Sequence, residues 1–141
     1  MYDPGVIALI LVSRPVTSVW TYWTLPGHIM QWHIPFDDWH CPGAENDLTE
    51  GGRFRFQMER KDGKAGFEHA GIYVTIVPFE MLVYTLHDRR KTVVEFQQID
   101  DNTIVRERFV SEPGTIIEGQ QAFYQSLLNR FKKYAEQQPE K

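Results

Sequence analysis

The chain has 141 residues, which suits one domain with a single core and leaves no room for a second domain. Hydrophobic residues make up 42% and charged residues 24% of the chain, a balance that argues against disordered and fibrous proteins. The net charge of −4, without any long block of Lys and Arg, argues against nucleic acid as a partner.

The cysteine content and the apolar runs bear on the cellular location of the protein. Cys41 is the single cysteine, so the fold does not depend on an internal disulfide, and the cytoplasm is the expected location. The longest apolar run, Val6–Val12, is too short to cross a bilayer and lacks the features of a signal peptide. We therefore expect no membrane span.

The first predicted elements are a strand and two short helices. Val6–Val12 is continuous and rich in β-branched residues, which predicts a strand buried on both faces or along an interface. Ser13 and Pro15 predict a cap and a first-turn proline for a helix. Pro26 ends that helix and opens the second, which Pro35 stops. The residues with helical spacing in these segments are Val16, Val19, Trp20, Trp23, Ile29, Met30 and Trp32.

A loop and a series of strands are predicted next. Residues 34–52 are too polar and too rich in turn residues for regular structure, which predicts a loop. From Arg53 onward apolar and polar residues alternate, and Asp62-Gly63 predicts a hairpin turn. The strands predicted after that turn are Glu68–Val77, Met81–Asp88, Thr92–Ile99 and Thr103–Ser111. Together they predict an antiparallel meander.

The last predicted element is a helix of roughly twenty residues, within the ordinary range for a globular protein. Pro113-Gly114 precedes it, and Thr115 with Glu118 forms a capping box. Its apolar stripe consists of Phe123, Tyr124, Leu127, Leu128, Phe131, Tyr134 and Ala135.

This order of elements predicts a single α+β domain over residues 1–141. A curved antiparallel sheet has one apolar face, and only the terminal helix is long enough to cover it. Such a sheet wrapped around a helix leaves space between the two, which is the default ligand site.

Short motifs with a characteristic order run along the chain. In the first half they are Trp39-His40-Cys41-Pro42, Asn46-Asp47-Leu48, Gly51-Gly52-Arg53-Phe54, Met58-Glu59, Asp62-Gly63, Gly66-Phe67 and Gly71-Ile72-Tyr73. In the second half they are Tyr84, Asp88, residues 103–109, Glu118, Gln120, Gln121, Asn129-Arg130-Phe131 and Tyr134. Over nearly its whole length the chain resembles the START-like (SRPBCC) superfamily, in the branch named for the activator of the heat-shock-protein-90 ATPase.

The resemblance implies a helix-grip fold with a cavity between the sheet and the C-terminal helix. It also implies binding of small hydrophobic or amphipathic molecules, since some relatives are lipid carriers and others polyketide cyclases. Two positions depart from the family pattern. Arg89 replaces a glycine in a turn, and Phe123-Tyr124 replaces Gly-Trp on the terminal helix. Phe123 either reduces the pocket or packs elsewhere.

Strand parity singles out an acidic residue. If Val105 and Phe109 face the terminal helix, Glu107 faces it as well, and a carboxyl on an apolar face must be paired or have a raised pKa. Glu107 is therefore a candidate functional acid or a structural acid bonded to Tyr84, Gln121 or a loop amide. His69 and Tyr73 share a parity that adds polar groups to the same face.

Other polar residues receive structural interpretations. The spacing of His28, His33, His40 and Cys41 matches no closed metal site, so no metal and no cofactor are predicted. His33 and His40 are expected to bond to backbone groups or to lie at the pocket mouth, and Cys41 to be a half-buried small residue. The four arginines expected on the convex face, beside Glu59 and Glu95, are Arg53, Arg55, Arg106 and Arg108.

The leading functional hypothesis is a pocket for a small apolar or amphipathic molecule, with Glu107 and His40 orienting its polar end. The expected walls are Trp39, Phe54, Phe56, Met58, Tyr73, Tyr84, Phe109 and Tyr124. A second hypothesis is a cyclase- or hydrolase-type enzyme that uses Glu107 as acid or base. A third, regulation of a chaperone ATPase, rests only on the family name and ranks last. The apolar strand Val6–Val12 also favours a homodimer.

Overall fold

The computed structural model describes residues 6–87, 90–109 and 117–139. Its strands are β1 (Val6–Val12), β2 (Trp39–Asn46), β3 (Arg53–Arg60), β4 (Gly66–Val77), β5 (Met81–Leu86), β6 (Lys91–Ile99) and β7 (Asn102–Phe109). Its helices are α1 (Val16–Thr24), α2 (Pro26–Trp32) and α3 (Ile117–Gln137). The predicted capping residue Thr115 and the turn residue Arg89 lie outside the described residues.

The strands form one antiparallel sheet in the order β1-β7-β6-β5-β4-β3-β2. The two edge strands, β1 and β2, are consecutive in the chain, and α1 with α2 connects them. Helix α3 packs along β1 and buries its apolar stripe against the inner face of the sheet. This curved sheet around a helix is the helix-grip fold that the family resemblance implies. None of the described helices is long and apolar enough to cross a membrane.

Alternation on β3 defines the inner face of the sheet. Phe54, Phe56 and Met58 are buried, whereas Arg53, Arg55 and Gln57, which alternate with them, are exposed. Adjacent strands continue both faces, because antiparallel pairing places side chains of one face directly opposite each other. The outer arginines therefore lie in solvent, where Arg55 pairs with Glu68 at 2.6 Å.

Strand β2 corrects the predicted loop over residues 34–52. Residues 39–46 pair with β3, and the register shifts between His40 and Gly43. Pro42 lies in this bulge on an edge strand, where proline is tolerated because no ladder donor is required of it. The turn residues that argued against a strand are thus accommodated by an irregular edge.

Strand β1 is buried on one face only in this chain, so the predicted burial on both faces is wrong and the alternative, a strand along an interface, stays a prediction. Ala8 and Val12 are buried, but Ile7, Leu9 and Leu11 expose 41%, 50% and 47% of their surfaces. Because β1 pairs with β7 alone and α3 covers only its inner face, the outer side chains have no covering layer in the described part of the chain.

Polar side chains of α3 cover the free backbone edge of β1. The amide of Gln125 accepts from Leu9 N at 3.3 Å and donates to Leu9 O at 3.0 Å, much as a neighbouring strand would. Gln121 donates to Ile7 O and Lys132 donates to Leu11 O. A sheet edge whose hydrogen-bonding groups are occupied in this way is a poor template for another strand.

The start of α1 differs from the prediction. Pro15 occupies the N-cap position, and no side chain caps the helix. The predicted cap, Ser13, instead donates its backbone N–H to Glu136 of α3 at 2.8 Å. At the helix start itself, Val16 N–H donates to Gln98 Oε1 of β6 at 2.9 Å, so a side chain from the sheet takes the place of a local cap.

Candidate functional site

A small cavity of about 30 Å³ lies between the inner face of the sheet and α3. It is lined by Trp23, Trp32, His33, Phe54, Phe56, His69, Tyr73, Leu82, Tyr84, Glu107, Tyr124 and Leu127. One water needs roughly 10–15 Å³ measured in this way, so the space suits one or two waters or a single small polar group. Aromatic rings from six different elements occupy most of the room that the fold would otherwise leave.

Glu107 lies on the inner face of β7, as strand parity predicts, and exposes only 5% of its surface. Its neighbours across the ladder are Ala8 on β1 and Val94 on β6, both apolar. The Tyr84 hydroxyl donates a hydrogen bond to Glu107 Oε1 at 3.3 Å. Burial raises the pKa of Glu107 to about 7, and the Tyr84 hydrogen bond opposes that rise only partly.

His33 follows α2 directly and is buried within the cavity wall. Its ring packs 5.1 Å from Phe56 and 5.2 Å from His69, measured between centroids. Burial, followed by the neighbouring His69, holds the pKa of His33 well below its usual value. His33 is therefore a neutral imidazole, and its buried Nδ1 has no hydrogen-bond partner among the described residues.

Two tyrosines add neutral hydroxyls. Tyr73 donates to Asn46 Oδ1 at 2.7 Å, and burial raises the pKa of Tyr73. Burial and the nearby Glu107 also raise the pKa of Tyr84. Between these residues the ring of Phe54 lies over Gly71, where a Cβ would come within 3.0 Å of that ring. Glycine at this position therefore leaves room for the aromatic wall.

Four aromatic residues form a cluster beside the cavity wall. We call Phe36, Trp39, Phe67 and Phe123 the aromatic mouth. Ring centroids are 6.3 Å apart for Phe36 and Trp39, 5.6 Å for Trp39 and Phe67, and 6.3 Å for Phe67 and Phe123. Phe36 and Phe67 are exposed. The mouth borders the cavity wall, because the ring of Phe123 packs 5.2 Å from that of Tyr124, which lines the cavity.

Six of the ten predicted binding residues line the cavity: Phe54, Phe56, Tyr73, Tyr84, Glu107 and Tyr124. Trp39 lies at the aromatic mouth. Met58 and Phe109 are buried without lining the cavity, and Phe109 packs on Tyr124 at 4.2 Å. His40 lies on β2 opposite Glu59 and does not line the cavity.

Phe123 does not fill the cavity. Its ring packs against Phe67 at the mouth, so the second alternative, repacking elsewhere, describes its position. The space is filled instead by Trp23 and Trp32 from the two short helices. The helical spacing of these two tryptophans predicted that they are buried. That they line this cavity depends on how α1 and α2 pack against the sheet.

The histidines that reach the cavity are His33 and His69 rather than His40. For His69 the sequence does give a signal, because His69 and Tyr73 lie four residues apart on one strand and therefore face the same side of the sheet. His33 lies in a turn after α2, where no periodicity assigns a direction, so its burial depends on tertiary packing. His28 lies elsewhere and bonds through Nδ1 to the Tyr134 hydroxyl at 2.5 Å.

Metal binding and thiol chemistry find little support in this geometry. Within the described residues, no three His, Cys, Asp or Glu side chains come together as metal ligands would. Cys41 is buried, and burial raises the pKa of its thiol to about 11. A neutral, buried thiol is a poor nucleophile.

Comparison with known proteins identifies relatives of this chain. Residues 13–136 match the family described as Activator of Hsp90 ATPase homolog 1-like protein. The solution structure of an AHSA1-like protein from Aeromonas hydrophila is similar, with 31% identity, a TM-score of 0.86, and coverage of 96% of this chain and 99% of that one. A protein from Cytophaga hutchinsonii is 36% identical, with a TM-score of 0.81 and coverage of 95% and 93%. No curated protein gives a significant match.

Proposed function

This chain belongs to the family of Activator of Hsp90 ATPase homolog 1-like proteins, and from that premise we propose that it binds a small amphipathic molecule. The polar end of the ligand enters the cavity beside Glu107, and its apolar part lies along the aromatic mouth. The observation that carries the proposal is the pair of buried polar groups, Glu107 and His33, at the wall of a small aromatic cavity.

Burying these two groups is costly for the fold. A buried polar atom without a hydrogen-bond partner, such as His33 Nδ1, destabilises a protein by roughly 1–3 kcal/mol, and natural cores seldom retain such atoms without a use. The neighbouring mouth also exposes apolar rings side by side, which favours contact with an apolar partner. A ligand with one polar end and one apolar end satisfies both features.

The proposal is tested with 1-hexanol as the probe, followed by amide NMR spectra of the whole chain. We expect shifts at His69, Tyr84 and Glu107 in the cavity wall and at Phe67 in the mouth. Amides on the outer face, such as those of Arg53 and Arg55, should stay unchanged. Mass spectrometry of the protein purified under native conditions would reveal a ligand carried from the cell. Unchanged cavity amides, together with an empty native protein, would contradict the proposal.

A second candidate function is acid–base catalysis by Glu107. Its pKa of about 7 allows both protonation states at neutral pH, which is what a general acid or base needs. The variant Glu107→Gln separates the two functions. If the variant binds a substrate but no longer turns it over, the result supports catalysis. A role in ligand binding alone predicts that the unmodified chain shows no turnover either.

A further inference from the structure

The charged and titratable groups that line the cavity favour a cationic ligand over an anionic one. The titratable residues in the lining are His33, His69, Glu107 and three tyrosines, and none of the twelve lining residues is Lys or Arg. An anionic ligand would therefore meet a carboxyl group without a compensating cation. A cationic ligand would meet that carboxyl group as its counter-charge.

The polar atoms at the cavity also have spare capacity to accept hydrogen bonds. A carboxylate offers about four lone-pair positions. Tyr84 donates a hydrogen bond to Glu107 Oε1, and this bond is long at 3.3 Å. His33 Nδ1 is buried without a partner there and accepts a hydrogen bond when the ring proton is on Nε2. A ligand with several N–H donors can use both acceptors.

The remaining wall is aromatic. Phe54, Phe56, Tyr124 and the two tryptophans Trp23 and Trp32 present rings to the cavity. Ring faces carry partial negative charge and attract a nearby cation by roughly 0.5–2 kcal/mol, more strongly where water is excluded. These rings help to offset the desolvation of a buried cation, a cost that a single counter-charge rarely covers.

Size decides which cation fits. The cavity of about 30 Å³ accepts one small polar group, so a trimethylammonium or guanidinium group is too large for it. A primary ammonium group has one heavy atom and three donors. Its alkyl chain can leave the cavity toward the aromatic mouth.

We propose that the ligand is an aliphatic primary amine, bound as its ammonium ion between Glu107 and His33, with its alkyl chain on the aromatic mouth. This inference rests on the proposed function, because it names the chemical class that the same site selects. Glu107 supplies the counter-charge and His33 Nδ1 a second acceptor.

Three probes with the same chain length test the inference: hexylammonium, 1-hexanol and hexanoate. Binding is measured at about pH 8, where Glu107 is ionised in the folded protein and the alkylamine, with a pKa near 10, remains protonated. We expect hexylammonium to bind at least about tenfold more tightly than 1-hexanol, which corresponds to roughly 1.4 kcal/mol. Hexanoate should bind most weakly.

Two variants assign the preference to the carboxyl group. Glu107→Gln keeps the side-chain shape and should reduce the tenfold preference to near parity. Glu95→Gln removes a carboxyl group from the opposite face of the neighbouring strand and should leave the preference intact. If Glu107→Gln does not fold, the three-probe comparison in the unmodified chain still decides the question.

Each outcome has a distinct meaning. Equal binding of amine and alcohol, or a preference for hexanoate, would overturn the amine inference and leave the proposed function standing. If none of the three probes shifts the cavity amides, the proposed function fails as well. An amine preference that persists in Glu107→Gln would place the amine site elsewhere and also overturn the inference.

Discussion

Glu107 places an ionisable group among apolar neighbours, and this has consequences for stability. Ala8 and Val94 flank it on the adjacent strands, so the folded protein favours the protonated form. Burial raises its pKa from 4.5 to about 7. Because the folded state holds this proton more tightly than the unfolded chain, stability from this group is complete at low pH and declines as pH rises.

We predict that the free energy of unfolding of the unmodified chain, relative to Glu107→Gln, falls by about 3 kcal/mol as pH rises from about 4 to about 8.5. His33 has the opposite effect: its pKa is lowered in the folded protein, so its contribution to stability increases as pH rises through the ordinary histidine range. Comparison with the variant cancels this contribution, because His33 is present in both proteins. Denaturant titrations at the two pH values measure the difference. A difference that is independent of pH would show that Glu107 is not buried as described, and Glu95→Gln provides the control.

Helix α3 serves two surfaces at once. Its apolar stripe closes the cavity through Tyr124 and Leu127, while Gln121 and Gln125 cover the edge of β1. The two sets lie on adjacent faces of one helix because residues three and four apart share a face. Any change in how α3 packs therefore alters cavity volume and edge protection together.

The pair Leu127 and Leu128 separates cavity lining from general core packing. Both are buried, but only Leu127 lines the cavity. We predict that Leu127→Ala and Leu128→Ala each lower the free energy of unfolding by about 2–5 kcal/mol. Only Leu127→Ala should also strengthen binding of 1-hexanol, because it enlarges the cavity. Denaturant titration and calorimetry test this, and equal hexanol affinity in both variants would count against the assigned cavity.

At the scale of the whole molecule, the outer side of β1 is the clearest candidate for self-association. Ile7, Leu9 and Leu11 form an apolar row, and Leu9 pairs in register with Arg106 of β7. The backbone edge of β1 is occupied by α3, so a partner strand cannot simply extend the sheet. A second copy would instead have to pack face to face on the row of side chains.

We therefore predict a concentration-dependent dimer through this face. Leu9→Lys should yield a monomer with unchanged stability, because Leu9 is half exposed and the substitution removes little burial. Gln57→Lys, at an exposed position on the outer side of β3, is a control that should leave the dimer intact. Light scattering over a concentration series measures the mass. A monomer at every concentration would refute the prediction.

Local patterns in the sequence predict much of this molecule. Alternation along β3 and β7 assigned Phe54, Phe56 and Glu107 to the inner face, and the stripe of α3 predicted the helix that covers them. Such inferences succeed because the strand and helix periods are local properties of the chain. The family resemblance added the helix-grip arrangement of these elements.

The volume and the lining of the cavity were decided by the tertiary structure alone. Its volume depends on Trp23 and Trp32 meeting Tyr124 and Leu127 across about a hundred residues of sequence, and its polar wall depends on His33 meeting His69. The strand at residues 39–46 also required its partner, since an edge strand with a bulge has no regular alternation to recognise. Packing between distant elements is not encoded by any local period, which is why the sequence predicts a pocket but not its size or its histidines.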